Sequence, residues 1–243
     1  MENKVARRYQ SPSQKGHFRS ARNNQLFTCW ALVFASLVAV VPVEEVFGGI
    51  GRDADSSPSL RITVRLYNHS HVPAEILQRA EDDVAGIFRR AGVDTGFVDC
   101  PLTEEQGPGY LACQGTTGPS DFVVNLVTPG MANHLPASAD GFGLAVLCAP
   151  RQASCTAYVN YERARQLAPG AKVGPSVVLG RVLSHELGHL LGLVHSESGL
   201  MRGAWNPNDF DPGSLPGMVF TNWDCQRIHA EAPARATERV QRR

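Results

Sequence analysis

Short runs of alternating apolar and polar residues, one early stretch with helical spacing and a later helix stopped by a glycine predict an α+β (mixed α/β) fold. The expected form is a twisted mixed sheet with an early helix, a second helix carrying paired histidines, and a small irregular C-terminal subdomain ending in a helix. The chain has 243 residues, 43% hydrophobic and 19% charged, which is enough apolar material for one large core. Its 23 glycines and 16 prolines show no period, excluding collagen-like and low-complexity chains.

The folded domain is expected over residues 60–230. LRITVRLYN (60–68) alternates and is rich in β-branched residues, as a half-buried strand requires. Residues 73–91 place Ile76, Leu77, Ala80, Val84, Ile87 and Phe88 at helical spacing, with Gly92 as the stop. A strand follows near 93–98, then a Gly/Pro-rich loop over 101–120, then DFVVNLVT (121–128), whose apolar run suits a buried strand. GLAVLCAP (143–150) and CTAYVNY (155–161) form a second pair of strands. Residues 176–191 make the most legible helix, opened by Gly174 and Pro175 and closed by Gly192. Residues 203–218 are irregular, and Thr221 or Asn222 can cap a last helix through Ala230. Residues 231–243 form a basic tail.

Ahead of the domain, residues 1–25 carry six basic residues against Glu2 alone, a net of +5; the whole chain is neutral, so the body is mildly acidic. Such a body lacks the clustered Lys and Arg of a nucleic-acid surface. Residues 26–43 hold no charge and read as a signal peptide or a signal-anchor transmembrane segment, followed by a polar linker over 44–59. Either form exports the body; an uncut segment also anchors it to a membrane. Five cysteines lie beyond the segment: Cys100, Cys113, Cys148, Cys155 and Cys225. Cys100–Cys113 and Cys148–Cys155 are the preferred disulfides, leaving Cys225 as a thiol.

The chemistry concentrates in HELGHLLGLVH, residues 185–195. On a helix His185 and His189 lie about 40° apart and one turn along, so both imidazoles can reach one ion, while Leu179, Leu183, Leu187, Leu190 and Leu191 share the opposite face. Gly192 can take a left-handed turn that returns the chain under the site and delivers His195 as a third ligand. Three protein ligands leave zinc a fourth position for water, and Glu186, beside the first ligand, is placed to take the water's proton. With only 8 histidines in the chain, an eleven-residue pattern is far more specific than HExxH alone.

HExxHxxGxxH resembles the zinc signature of the metzincin metallopeptidases. The resemblance implies a methionine turn below the three histidines, for which Met201 stands six residues after His195. Ser196 after the third histidine, and DGFGLA at 140–145, are similar to the matrixin-like branch. There the second stretch leads into an edge strand, residues 143–149 here, that pairs with an extended protein or peptide substrate. The chain departs from that branch in three ways. Its gap from His195 to Met201 is short, Gly203 replaces the usual tyrosine, and residues 44–59 lack the cysteine of a latency propeptide.

The implied activity is a zinc-dependent metalloendopeptidase with Glu186 as general base. A zinc amidase on a non-protein amide and a catalytically silent zinc-bearing adhesion module are the rivals; an intact Glu186 argues against silence. His69, His71, His134 and His229 lack partner spacing and read as surface or satisfied residues, and Ser184 has no visible acid partner. Trp205, Phe210 and Trp223 are candidates for core or for the wall of a specificity pocket.

Overall fold

The computed structural model describes residues 60–103, 111–115, 118, 120–136, 141–146 and 155–240, with backbone only for 232–240. The leader, the apolar segment 26–43, the linker and Cys148 lie outside the described residues. Among the described residues, no helix is long and apolar enough to cross a membrane.

Five strands form one mixed sheet: β1 (Leu60–Asn68), β2 (Val93–Cys100), β3 (Asp121–Val127), β4 (Gly143–Val146) and β5 (Cys155–Asn160), in the order β2-β1-β3-β5-β4. β1 runs parallel to β2 and β3, β3 parallel to β5, and β4 alone is antiparallel, on the edge. The register aligns buried side chains in rows: Val64, Phe122 and Cys155 stand abreast, as do Leu66, Val124 and Ala157. β3 thus alternates Phe122, Val124 and Leu126 inward with half-buried Val123 and Asn125, rather than being buried on both faces.

Helix α1 (Ala74–Arg90) covers this face with Leu77, Ala80, Val84, Ile87 and Phe88, the expected set without Ile76, which is half-buried. It stops at Gly92, φ +75°. There the α1 carbonyl of Ala91 meets His229 Nε2 at 2.7 Å, so His229 is a satisfied residue joining the first and last helices. Short helices α2 (Leu111–Gln114) and α3 (Pro129–Ala132) follow β2 and β3. Cys100–Cys113 ties β2 to α2. Cys155 is also disulfide-bonded, and Cys225 is a buried thiol.

Two elements differ from expectation. Helix α4 (Tyr161–Ala171) follows β5 directly where no helix is expected. Pro169 and Gly170 mask it in the sequence, yet the Asn160 side chain caps it by accepting from Arg163 N at 3.4 Å, and Tyr161, Ala164 and Ala168 are buried at helical spacing. Helix α6 (Asn222–Val240) runs ten residues past the expected end at Ala230, through a stretch rich in Ala, Glu and Arg, all strong helix formers. Its start is as expected. Thr221 Oγ1 accepts from Asp224 N at 3.2 Å, and the Asp224 carboxylate accepts from Thr221 N at 2.8 Å, a reciprocal cap. The irregular stretch between them contains two single 3₁₀ turns, Pro207–Phe210 and Leu215–Gly217.

Helix α5 (Pro175–Leu190) passes through the centre. A two-faced helix is expected; instead it is buried on nearly every side, from Val178 to Gly188 without a break. Gly180 lets it approach α1 so closely that a Cβ there would lie 3.1 Å from the Ala80 carbonyl oxygen. Buried Arg181 pairs with Asp83 of α1 at 3.5 Å across the same contact.

Candidate active site

The second half of α5 supplies His185, Glu186 and His189, and the chain beyond it returns His195. Gly192 makes that return, at φ +86°, where a side chain would be strained. His185 Nε2 then lies 3.0 Å from His189 Nε2 and 3.3 Å from His195 Nε2. The ligand atoms of all three fall within 4.8 Å of one another. Exposure rises from buried His185 to exposed His195, so the cluster opens to solvent on the His195 side.

The opposite ring nitrogens decide which atoms face inward. His185 Nδ1 donates to the Leu200 carbonyl and His189 Nδ1 to the Leu193 carbonyl, each at 2.8 Å. With the proton held on Nδ1, the Nε2 lone pairs point at one another, which is stable only with a cation between them. Burial holds His185 down to about 4 and lowers His189 as well, so both stay neutral and able to ligate near pH 7. Nitrogens bound to tetrahedral zinc at about 2.0–2.1 Å stand about 3.3 Å apart, and the residues present fit that ion.

Met201 is fully buried, with its sulfur against α5 at Gly188. A Cβ on Gly188 would lie 2.7 Å from its sulfur, so only glycine on α5 admits this floor. The loop that brings it in turns at Gly199 and is tied by Ser196 N to the Met201 carbonyl and Leu200 N to the Val219 carbonyl, both at 2.9 Å. Gly203 lies against His195: a Cβ there would sit 3.1 Å from His195 Nδ1. The imidazole occupies the space that a side chain at this position would need.

Glu186 is buried between α5 and the first residue of β4. Burial alone pushes its carboxyl up to about 8. A cleft of about 860 Å³ runs past it, lined by Phe142 to Ala145 on the β4 side, by the three histidines, and by Arg163, Leu167, Val182 and Trp205 at one end. The edge strand expected at 143–149 is β4, described over 143–146, and it lines this cleft.

Of the aromatic candidates, Trp205 walls the cleft, its ring 5.2 Å from that of His185 and 6.1 Å from Phe142. Phe210 is core, packed behind Trp205 at 5.9 Å. Trp223 is exposed on α6 beside Arg227 and is no part of the site. An Arg202–Asp209 ion pair clips the segment that carries Trp205. Sequence reasoning missed Arg163 and Leu167 because it missed α4; the spacing of Ala164, Leu167 and Ala168 after a capping Asn160 is the signal that reveals them. Gly143 and Gly203 stood in stretches singled out in the sequence, but the side chains that need each glycine were not legible, and Gly188 had no signal.

No protein-family model matches the chain, and no curated protein matches it by sequence. Among solved structures it is similar to archaemetzincin from Methanopyrus kandleri, with 20% identity, 73% of this chain and 98% of that chain covered, and a TM-score of 0.42. It is also similar to metalloproteinase-II from Bacteroides fragilis, with 13% identity, 72% of this chain and 54% of that chain covered, and a TM-score of 0.43. The chemistry of the site follows from its own geometry.

Proposed function

We propose that this chain is a zinc-dependent endopeptidase of metzincin type. The observation that carries the reading is the convergence of three imidazole Nε2 atoms beside buried Glu186, at the mouth of a cleft bordered by a sheet edge. Zinc held by His185, His189 and His195 supplies Lewis acidity and brings the pKa of water to about 7. The chain's own groups do the rest. β4, the last strand of the sheet among the described residues, would offer backbone N–H and C=O groups to an extended peptide, aligning the scissile bond along the cleft. A cation held by the three imidazoles would favour the ionised form of Glu186 beside it, and as a carboxylate Glu186 takes a proton from the attacking water as oxygen adds to the carbonyl carbon. It then passes that proton to the departing amine nitrogen as the C–N bond breaks.

Ser196 supports the matrixin-like placement within the family; Asp140 of the DGFGLA stretch lies outside the described residues. We read the domain as exported, a reading supported by the Cys100–Cys113 disulfide.

The test is a pair of measurements on wild type and Glu186→Gln. Metal analysis should find one zinc per chain in both. Hydrolysis of casein should fall by about 10²–10⁴-fold in the variant, the usual worth of a general acid–base. Equal cleavage rules out Glu186 as the base. Bound zinc with no cleavage across a broad peptide library rules out the peptidase and favours the silent adhesion module.

A further inference from the structure

The edge strand and the general base meet at Gly143. A Cβ built on this residue would lie 2.6 Å from Glu186 Oε1, 2.7 Å from Cδ and 2.8 Å from Cγ, so the whole end of the Glu186 side chain lies flat on the Gly143 backbone. Carbon atoms in contact prefer about 3.5–4.0 Å, and three such overlaps cannot be absorbed without movement.

Both backbones are held by neighbouring elements. Gly143 is held in the antiparallel ladder opposite buried Val159, and the next rung is fixed by Asn160 N donating to the Phe142 carbonyl at 2.8 Å. On the other side α5 is pressed against α1 at Gly180, where there is likewise no room for a Cβ. What remains free to move is the Glu186 side chain, and its way out is into the cleft. We infer that Gly143 is a positioning residue: the missing side chain at the first residue of the edge strand is what sets the Glu186 carboxylate at the site. This rests on the peptidase reading and extends it, since the backbone that aligns the substrate also backs the base. Substrate and base are then registered to the same strand, and misplacing a reacting group by about 1 Å can cost about 10²-fold in rate.

Gly188 and Gly203 make close contacts of the same kind with Met201 and His195. Substitution at those positions should act on the metal cluster, whereas Gly143→Ala should leave it untouched.

The test uses the full chain in two arms. For the zinc-loaded protein, Gly143→Ala should retain one zinc per chain and lower kcat on a casein-derived peptide by about 10–100-fold while KM changes by less than about 3-fold. For the zinc-free protein, thermal melts of a double-mutant cycle with Glu186→Ala report on the contact itself. Gly143→Ala should lower Tm by several degrees with Glu186 present and by about one degree or less once the carboxylate is truncated. A variant that cleaves like wild type, that loses zinc or its fold, or whose Tm loss is the same in both backgrounds overturns the inference. A wild type that binds zinc and cleaves nothing removes the peptidase reading, and the positioning role with it; in that case the melts still report whether the contact exists.

Discussion

Residues 60–190 and residues 191–221 enter one apolar core from differently organised chain. The first stretch is a sheet and helices whose apolar side chains repeat every two or every three to four residues, packed in rows such as Leu66, Val124 and Ala157. The second contains no strand and no α-helix. Two of its backbone carbonyls are satisfied by the site, Leu193 and Leu200 accepting from His189 and His185, and beside them Ser196 N donates to the Met201 carbonyl. Both regions share one apolar core, since Leu191, Leu193, Leu200, Met201, Phe210 and Phe220 pack into it, but only the second is also tied to the imidazoles. The difference teaches which stretch of chain would respond to an ion held by the three histidines.

Removing the ion should break the symmetry between them most. His189→Ala, or chelation of wild type, should abolish hydrolysis and raise amide hydrogen exchange over residues 193–203, with β1 and β3 protected as before. A uniform rise across both regions would show that the second is not metal-supported.

A core truncation should do the reverse. Leu187 is fully buried in α5, and Leu187→Ala should cost about 2–5 kcal/mol of global stability, with or without zinc, by chemical denaturation. A loss that appears only in the zinc-loaded protein would mean that the helix is held by the site and not by the core.

The same contrast explains what the sequence made legible. β1, α1, β3, β5 and α5 declare themselves because burial on one face imposes a period, and each was readable to within a few residues. The convergence of the three histidines was readable too, because a helix turn and one glycine turn bring three imidazoles together within eleven residues. α4 escaped because Pro169 and Gly170 argue against helix while burial of Tyr161, Ala164 and Ala168 overrides them. Trp205 could be named as a wall or as core but not assigned, since its neighbours Phe142 and His185 come from elsewhere in the chain.

A smaller effect sharpens the comparison within the second region. With its Cβ position 3.1 Å from His195 Nδ1, Gly203→Ala should tilt that ring. Zinc affinity should fall by about 10-fold, in the range of changes to groups that orient a ligand, while the zinc-free protein melts as wild type does. Competition with a chromophoric chelator measures the first and calorimetry the second. A lowered Tm without zinc would make Gly203 a folding residue.

The smallest expected effect belongs to the first region and depends on pH. Glu81 of α1 is partly buried, its Oε1 has no hydrogen-bond partner, and burial, with Asp99 and Asp82 adding repulsion, pushes its carboxyl up to about 7. Because the folded state holds this proton more tightly than the unfolded chain does, the favourable contribution is complete below the ordinary value of 4.5 and is lost as pH rises through about 7. Glu81→Gln should therefore leave Tm nearly unchanged at pH 4.5 and raise it by about one or two degrees at pH 8.5, a modest gain because solvent still reaches the group. The gain should be the same in zinc-free and zinc-loaded protein, since α1 makes no ligand contact. If it appears only with zinc bound, the two regions are coupled through the contact of α1 and α5 at Gly180, and the site draws on the charge balance of the core beside it.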